Sequence, residues 1–594
     1  MSINAACRPW HKLSSVRGEC TPQRVIVFQV APSVHADGDG YHEHTLLCGS
    51  ARVYYLSHGD IADTESLDFC RPEQLWARVD SWLCRDRTTW LYGHSLAYQL
   101  TLLDYWRQLD RPSDRLLWCV LEDPPTIIHA LRGRRSLKLV DLANYIRLPL
   151  PVLLGGRTGW SEWALDPGAS IYDHIAWCRK VAGRLGELIC RMINTVACAM
   201  KCTWQSTAAS LAWALYRRQY LKTTVWVHGH APALALEKKA LSGGQLNMWR
   251  IGLVSSPTFA LDVNSLYPSI MAQGATPNKL VRYTEYATPD DLRAYVSRYY
   301  CVADVDVEIP PYGLPSHAAG VAGTSTARGR YCLCGQELAD VARDGMVWAC
   351  YRLACYETAD LFSDYVAGLY PRKRAAQRDG DEAGAWLFKL LLNSLAGKFA
   401  QRSRRWLDVA DVLSPCRWGY WWRRLVGHSE PQRMRTLAGQ VQRLEEGGFK
   451  RDSCPVITAA ICSAGRSRLR DLCGLVPYPG PHYCDTDSLH CGTDGLLALQ
   501  AAGLCHPSDL GKLKTVCSGP DAYYWSPKNY RIGEYSVSNV VMIGAKRLDD
   551  GYWLQQAKMG IQRTLAMGLL DRVIFHEREV HLEHEQALAG GNAD

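Results

Sequence analysis

Two aspartates that lie one residue apart are the first residues in the chain whose spacing suggests chemistry. Asp485 and Asp487 belong to the segment YCDTDSLHC, residues 483–491. Side chains two residues apart on a strand point to the same face, so an extended segment here presents two carboxylates at one place. Like charges that close together are costly unless a cation lies between them or one carboxylate takes up a proton. Oxygen ligands of this kind suit Mg²⁺ or Mn²⁺, although Asp, Thr and Ser also favour a solvated hairpin turn.

A second segment supplies a third carboxylate. FALDVNSLYPSIM, residues 259–271, has an apolar run that ends at Asp262 and is followed by the turn-like stretch NSLYPS. This pattern predicts a strand that carries Asp262 to a turn, where free backbone N–H groups can meet phosphate oxygens.

A third segment, KLLLNSLAGKF at residues 389–399, has the spacing of a helix. Lys389 and Asn393 share one face with Ala396 or Gly397, because these positions are separated by four and by seven or eight residues. A cation and a carboxamide close to three carboxylates match a nucleoside triphosphate with its metal ions. The three segments together therefore indicate nucleotide chemistry.

In this order the three segments resemble motifs A, B and C of the family B DNA polymerases, and specifically the protein-primed phage, plasmid and organellar enzymes. DVNSLYPS is similar to motif A, KLLLNSLAGKF to motif B and YCDTDS to motif C. The resemblance implies a multi-domain α/β fold, in which an RNase H-like domain precedes a right-hand polymerase domain of palm, fingers and thumb. It also implies two Mg²⁺ ions, or Mn²⁺ in their place, and attack by a primer 3′-hydroxyl on a dNTP.

The resemblance assigns roles to individual residues. Asp262, Asp485 and Asp487 become the catalytic carboxylates, with metal contacts from Asp262, Asp487 and the Val263 carbonyl. The positions implied for dNTP binding are Ser265, Leu266, Tyr267, Arg374, Lys389, Asn393 and Ala396.

Three of the dNTP positions carry a further expectation. Tyr267 resembles the residue that excludes a ribose 2′-hydroxyl by its bulk. Ala396 stands where the family has a tyrosine, a departure that predicts lower fidelity. Arg374 is a candidate second cation that binds the triphosphate. The alternative is that this run of charged residues forms a solvent-exposed helix face, as such runs more often do. The other cations of the same run, which compete with it, are Arg372, Lys373 and Arg378.

Contacts with primer-template DNA are implied at five positions outside the three motifs. These positions are Gly243, Gly244, Lys528, Tyr530 and Lys546. The two glycines resemble the family's YxGG loop, but Leu241 replaces its tyrosine, so a plain linker remains an alternative. SPKNYRI, which contains Lys528 and Tyr530, resembles the family's KxY motif at the primer terminus.

Residues 1–235 resemble the 3′→5′ exonuclease domain of the same polymerases but lack its acids. The positions that correspond to the four carboxylates are Gln29, Ala31, Gln99 and Val181. Neutral amides and aliphatic side chains cannot hold the ions that two-metal hydrolysis requires, so we expect a degenerate exonuclease without proofreading. The alternative is a shifted alignment, in which the acids are Asp37, Asp39 or Glu43.

The motif positions also predict domain boundaries after residue 235. The expected units are a linker loop and palm with motif A (236–299), an insertion that contacts the priming protein in relatives (300–358), fingers with motif B (359–401), a basic and aromatic insertion (402–452), palm with motif C (453–515), and the KxY region and thumb (516–594). The basic insertion suits stacking on nucleic acid as well as a hairpin that buries its tryptophans. The helix at 453–472 has Ser453 as a candidate cap.

Four cysteines in the first insertion raise the question of zinc. Cys332, Cys334, Cys350 and Cys355 have C-x-C and C-x₄-C spacings, which fit the usual zinc knuckle poorly. The segment around them favours helix, strand and helix, with the cysteines at small apolar core positions.

Composition limits the broad class. The 594 residues are 47% hydrophobic and 21% charged, and the net charge of +8 has the sign that suits a polyanionic partner. No apolar run approaches the ~20 residues of a membrane span, and the many cysteines without a secretory signal indicate a reducing cytoplasm. The expected partners are primer-template DNA and dNTPs, with a priming protein as a further candidate, and no membrane.

Three rival hypotheses remain beside a replicative polymerase. They are a template-independent nucleotidyltransferase, a polymerase repurposed in a mobile element or an antiviral defence system, and a non-catalytic nucleic-acid-binding relic. The presence of all three motif aspartates argues against the relic.

Overall fold

The structure is a computed structural model. It describes residues 10–16, 21–36, 39–57, 60–109, 114–122, 125–147, 150–153, 168–309, 327–343, 347–409, 418–425, 430–538, 545–549 and 552–581.

A ten-stranded mixed sheet dominates the N-terminal part of the chain. Its first seven strands are Arg24–Ala36, Tyr41–Ser57, Asp60–Phe69, Thr89–Gly93, Asp114–Leu121, Thr126–Arg132 and Arg135–Asp141. Along the first strand Val25 and Val27 face one apolar cluster while Ile26 and Phe28 face another, because successive side chains point to opposite faces. Both faces are therefore covered, one of them by the helix Ile171–Asn194.

The same sheet continues into the C-terminal part of the chain. The strand Val573–His581 pairs antiparallel with Tyr41–Ser57 at residues 573–576, and Tyr552–Lys558 and Lys546–Asp549 extend the sheet beyond it. The stacked rings of His44 and Phe575, 4.3 Å apart, and an ion pair of 2.9 Å between Arg572 and Glu43 reinforce the junction. Segments more than 500 residues apart in sequence thus share one sheet.

A five-stranded antiparallel sheet lies at the centre of the chain. In spatial order its strands are Leu246–Met248, Tyr483–Asp485, Ser488–Gly492, Thr258–Val263 and Leu513–Gly519. The helices Leu266–Met271 and Pro455–Gly474 pack on it through an apolar cluster that contains Leu261, Leu266 and Leu469. This sheet carries the segments that resemble motifs A and C.

Two antiparallel helices, Ser363–Arg378 and Glu382–Lys398, form a hairpin around Gly380. Gly380 has φ +70°, a left-handed conformation that costs glycine little and lets the chain reverse there. The hairpin packs on the helices Ala208–Leu215 and Pro455–Gly474 through the largest apolar cluster of the described residues.

The insertion near residues 275–360 corrects one sequence prediction. Its sheet contains Ala275–Ala287, Val347–Asp360, Tyr300–Ile309 and Ala327–Cys334, and the helix Gly335–Arg343 connects two of these strands. The cysteine segment thus runs strand, helix, strand instead of helix, strand, helix. Pairing with the distant strand Tyr300–Ile309 decides the conformation of these short apolar runs, whose local pattern is ambiguous.

The four cysteines of this insertion behave as core residues. Cys334, Cys350 and Cys355 are buried, and the part-buried Cys332 thiol donates to the Leu236 carbonyl. Burial raises the pKa of Cys350 to about 12, whereas zinc binding requires a thiolate. Across the described segments no group of three or more His, Cys, Asp or Glu is arranged to hold a metal ion.

The second insertion forms a four-stranded sheet, here called the basic sheet. Its strands are Arg402–Asp408, Gln440–Phe449, Gln432–Leu437 and Gly419–Arg423. Trp418 is buried, whereas Trp422 is 69% exposed. Trp418 is therefore a core residue, and stacking of the exposed Trp422 on nucleic acid stays a prediction.

The helix Pro455–Gly474 corrects another prediction. Its N-cap is Cys454, which makes no side-chain capping bond. The hydroxyl of Ser453, the predicted cap, instead donates to the Gln401 carbonyl. Ser453 lies one position too early in the chain to cap this helix.

The remaining elements connect these units. A further four-stranded sheet contains Gly252–Val254, Ala522–Ser526, Asn529–Ile532 and Tyr535–Val537, and His11–Lys12 pairs with Trp226–Val227. The other α-helices are Pro72–Trp82, Leu96–Leu102, Tyr105–Gln108, Leu150–Leu153, Ala208–Leu215, Ala231–Ala240, Pro289–Val296, Thr493–Ala501 and Ile561–Ala566. In the part of the chain that the structure describes, no helix is long and apolar enough to span a membrane.

Candidate active site

The three motif aspartates meet at one edge of the five-stranded sheet. Asp262 lies near the end of Thr258–Val263, opposite Ser488 in the neighbouring strand. The Val263 N–H donates to the Asp487 carbonyl at 2.7 Å. The main chain therefore fixes how the segment of Asp262 approaches the segment of Asp487.

A tight hairpin turn brings Asp485 and Asp487 together; the hairpin agrees with the sequence, but the turn residue Thr486 is not extended. Asp485 ends a strand, Thr486 has φ +55°, and the Asp487 N–H donates to the Asp485 carbonyl at 2.6 Å. The metal and turn hypotheses for this segment were alternatives in the sequence. In the structure the turn itself holds the two carboxylates.

The electrostatics of the three carboxylates indicate a cation site. The pKa of Asp487 is raised to about 6, first by burial and then by the charges of Asp262 and Asp485. Burial also raises the pKa of Asp262, which nearby lysines partly offset. Carboxylates that raise one another's pKa gain from a bound divalent ion, and oxygen donors suit Mg²⁺. The donor types therefore suit the expected metal, whereas in the described residues two of the three side chains are paired with lysines and the group is not arranged around an ion.

Two of these carboxylates are paired with lysines. Lys514 Nζ lies 3.3 Å from Asp262 Oδ2, and Lys528 Nζ lies 2.8 Å from Asp485 Oδ2. Lys528 was expected at the primer terminus. Lys514 could not be predicted from the sequence, because only the register of Leu513–Gly519 against Thr258–Val263 places it opposite Asp262.

Lys373, one of the competitors of Arg374 in the sequence, contacts a motif A residue. Lys373 donates to Ser265 Oγ at 3.1 Å, and burial together with Lys389 and Lys514 lowers the pKa of Lys373 to about 8. Arg374 donates to Ser508 Oγ at 2.8 Å, next to Asp509. The role of Arg374 in dNTP binding stays a prediction, and Lys373 is a second candidate for the same role.

The helix Glu382–Lys398 presents an exposed stripe of Lys389, Asn393 and Gly397. Ala396 is only 6% exposed, so Gly397 and not Ala396 continues the stripe. A Cβ atom at Gly397 would meet nothing within 4 Å, which leaves open space in front of the stripe. The effect of Ala396 on fidelity stays a prediction.

Residues 265–267 turn away from the strand end towards the helix Pro455–Gly474. Ser265, with φ +55°, precedes Leu266–Met271, and Leu266 is buried. A Cβ atom at Gly465 would lie 3.2 Å from the Tyr267 ring, so that glycine permits the close contact. Burial and the neighbouring Asp487 raise the pKa of Tyr267 above its usual range. Tyr267 thus lies beside the carboxylates.

The expected glycine loop lies against the aspartate turn. A Cβ atom at Gly244 would lie 2.4 Å from Thr486 Oγ1, and Thr486 N–H donates to the Gln245 carbonyl at 2.7 Å. Arg466 donates to the Gly243 carbonyl at 2.8 Å. Close packing on Thr486 therefore explains the glycine at position 244, independently of any DNA contact.

Tyr530 and Lys546 are the remaining residues that were expected to contact DNA. The ring of Tyr530 lies 5.4 Å from that of Tyr483 and 4.7 Å from that of His490. Lys546 begins the strand Lys546–Asp549; its side chain lies outside the described residues. The structure therefore connects Tyr530 with the candidate site, and the role of Lys546 stays a prediction.

The four degenerate exonuclease positions lie in or against the ten-stranded sheet. Gln99 Nε2 donates to Gln29 Oε1 at 3.3 Å, and Gln99 Oε1 accepts the Val30 N–H at 3.2 Å. Ala31 and Val181 are fully buried among apolar side chains.

Of the alternative acids, Glu43 pairs with Arg572, and Asp37 lies outside the described residues.

Comparison of the sequence with known proteins agrees with the family resemblance of the three motifs. Residues 177–405 match the family model "DNA polymerase type B, organellar and viral". A "Probable DNA polymerase" of Neurospora intermedia is 26% identical over 214 residues, which are 33% of this chain and 21% of that relative. The chain is related to the family B DNA polymerases. Its match spans about a fifth of that relative's length.

Solved family B structures share the fold. Phi29 DNA polymerase in an orthorhombic crystal form superimposes with a TM-score of 0.60 at 14% identity, over 87% of this chain and 90% of that one. Phi29 DNA polymerase with primer-template DNA and incoming nucleotides gives 0.58 at 15% identity, over 86% and 87%. The fold is therefore an exonuclease-like domain followed by palm, fingers and thumb, as expected from the sequence.

Proposed function

We propose that this protein is a template-directed DNA polymerase that adds dNTPs to a primer 3′-hydroxyl. The observation that carries the proposal is the convergence of Asp262, Asp485 and Asp487 at one sheet edge. The matched phi29 structures, which hold primer-template DNA and nucleotides, support the same substrates. The domain boundaries given above follow as part of the proposal.

The carboxylates would hold the metal ions. Asp262, Asp487 and the Val263 carbonyl are the proposed ligands, and Asp485 is a supporting carboxylate. When bound, Mg²⁺ or Mn²⁺ would activate the primer hydroxyl and neutralise charge on the phosphates. The Val263–Asp487 hydrogen bond keeps the two ligand segments in register before any substrate arrives.

Lysines and the helical hairpin would bind the triphosphate. Lys389 on the exposed stripe and Lys373 beside Ser265 both lie close enough to Asp262 to lower its pKa, so two cations are available near the carboxylates. Each would gain from contact with phosphate oxygens, since charge-assisted hydrogen bonds are stronger than neutral ones. Tyr267, braced on Gly465, would limit space at the sugar.

We propose further that the protein lacks proofreading, because Gln29 and Gln99 bond to each other and to Val30 where carboxylates were expected. A priming protein is proposed as a partner of the first insertion on the strength of the family resemblance alone, and a cytoplasmic location stays a prediction.

Primer extension tests the main proposal against its rivals. A labelled primer would be incubated with Mg²⁺ and single dNTPs, with and without a complementary template. Incorporation that obeys the template supports the proposal. Equal incorporation without template indicates a template-independent transferase, and no incorporation under either condition indicates a non-catalytic protein.

A further inference from the structure

Lysines surround the three carboxylates closely. Lys514 pairs with Asp262 at 3.3 Å and Lys528 pairs with Asp485 at 2.8 Å. In contrast, Asp487 makes no ion pair within 4.0 Å to any residue that the structure describes. Two of three carboxylates are thus already neutralised by the chain's own cations.

The position of Lys514 is set by the sheet. Lys514 lies directly opposite Asp262 across the strands Thr258–Val263 and Leu513–Gly519, and the next pair, Val263 and Leu513, is buried. The backbone therefore cannot slide to separate the two residues without exposing that apolar pair. The lysine side chain itself is 41% exposed and can swing away on its flexible stem.

Lys514 and a metal ion would compete for the same oxygen atoms. A carboxylate next to an ammonium group is less attractive to a second cation, because the two positive charges repel each other.

We propose that Lys514 is a built-in counter-cation, which neutralises Asp262 in the free protein and leaves it when a divalent ion binds. The inference rests on the three-carboxylate site of the proposed function. Lys514 then lowers the metal affinity of the free protein. Once displaced, its ammonium group lies beside the carboxylates and is free to contact a phosphate.

A purely structural ion pair is the competing explanation. Exposed ion pairs contribute little to stability, so loss of the pair alone would change neither folding nor metal affinity much. Metal binding to the protein without DNA or nucleotide separates the two explanations, and it does not depend on catalysis.

The experiment measures Mn²⁺ binding by electron paramagnetic resonance. The variants are Lys514→Met, which removes the charge, Lys514→Arg, which keeps it, and Lys512→Met as the matched control. Lys512 lies two residues away and donates to the Gly503 carbonyl. We expect about threefold to tenfold tighter Mn²⁺ binding for Lys514→Met, and wild-type affinity for Lys514→Arg and Lys512→Met.

An Asp262→Asn background completes the test. There the Lys514→Met change should alter Mn²⁺ affinity by less than about twofold, because the shared ligand is gone. Unchanged or weaker Mn²⁺ binding by Lys514→Met in the otherwise wild-type protein would overturn the inference. If circular dichroism shows that the Met variant is unfolded, Lys514→Gln repeats the test. Tighter Mn²⁺ binding without template-directed synthesis would leave the inference standing and reject the proposed function.

Discussion

The backbone N–H of Val263 donates a 2.7 Å hydrogen bond to the carbonyl oxygen of Asp487. This bond joins the strand that carries Asp262 to the turn that carries the other two aspartates. It involves only main-chain atoms of Asp487, so a change of that side chain leaves it in place. The side chains of this site can therefore be altered individually without removing the connection.

Asp487→Asn should abolish incorporation, with a loss of at least about a thousandfold, while primer-template binding changes little. The amide retains the shape of the side chain but removes the negative charge that a metal ligand needs. Single-turnover incorporation and fluorescence anisotropy of labelled DNA measure the two properties. Asp494→Asn, in the first turn of Thr493–Ala501, is the control and should behave like wild type. Near-normal synthesis by Asp487→Asn would remove this residue from the site.

A labelled primer with a 3′ mismatch should remain intact when incubated with the protein and Mg²⁺ in the absence of dNTPs. Gln29 and Gln99 are hydrogen-bonded amides, which cannot replace two carboxylates as metal ligands. Denaturing gels measure primer length over time, and a mock purification controls for contaminating nuclease. Shortening above the mock level would mean that the acids lie elsewhere in residues 1–235.

Tyr267→Val should increase ribonucleotide incorporation relative to dNTP incorporation by tenfold or more. The ring lies against the helix at Gly465, beside the carboxylates, and its removal opens space for a 2′-hydroxyl. The ratio of kcat/KM values for matched rNTP and dNTP gives the discrimination. Tyr286→Val is the control, since Tyr286 is 83% exposed on the insertion sheet. An unchanged ratio would exclude Tyr267 from the sugar gate.

The KM for dNTP should rise roughly threefold to tenfold between pH 7 and pH 9, because Lys373 loses its proton in that interval. Its pKa is lowered from 10.5 to about 8 by burial and by Lys389 and Lys514, against the opposing effect of Asp262. The charged form therefore prevails below pH 8 and the neutral form above it. Lys373→Arg should flatten the profile, since arginine stays charged. Equal slopes for the two proteins would contradict the assignment.

Glu337→Gln should lower the free energy of unfolding by about 3–5 kcal/mol, because it leaves a buried guanidinium without its counter-charge. Arg466 lies 2.6 Å from Glu337, and both side chains are at most 3% exposed. Urea denaturation measures the change. Arg293→Gln, which breaks an exposed pair with Asp290, should cost less than about 1 kcal/mol. Equal effects of the two substitutions would contradict the buried-pair argument.

Local sequence pattern predicted the elements that carry the motifs. The apolar run before Asp262 became a strand, and the spacing of Lys389 and Asn393 became an exposed helical stripe. These elements could be predicted because the residue pattern that indicates each of them spans only a few consecutive positions. The family resemblance, which rests on the same short segments, is confirmed by the comparisons.

Long-range pairing decided what the sequence could not show. Lys514 reaches Asp262 only through the register of two strands about 250 residues apart. Lys373 and Arg374 are neighbours in sequence, yet rotation of about 100° per helical residue sends them to different partners. The strand at 327–334 forms because another strand is present beside it. None of these outcomes can be predicted from the local sequence pattern.

The shared ten-stranded sheet has a consequence for truncated forms of the protein. Deletion of the N-terminal domain would remove Tyr41–Ser57, the strand against which Val573–His581 is paired. The exposed edge left behind would be prone to aggregation. The C-terminal strands therefore need the N-terminal domain as a pairing partner, whatever chemistry that domain performs.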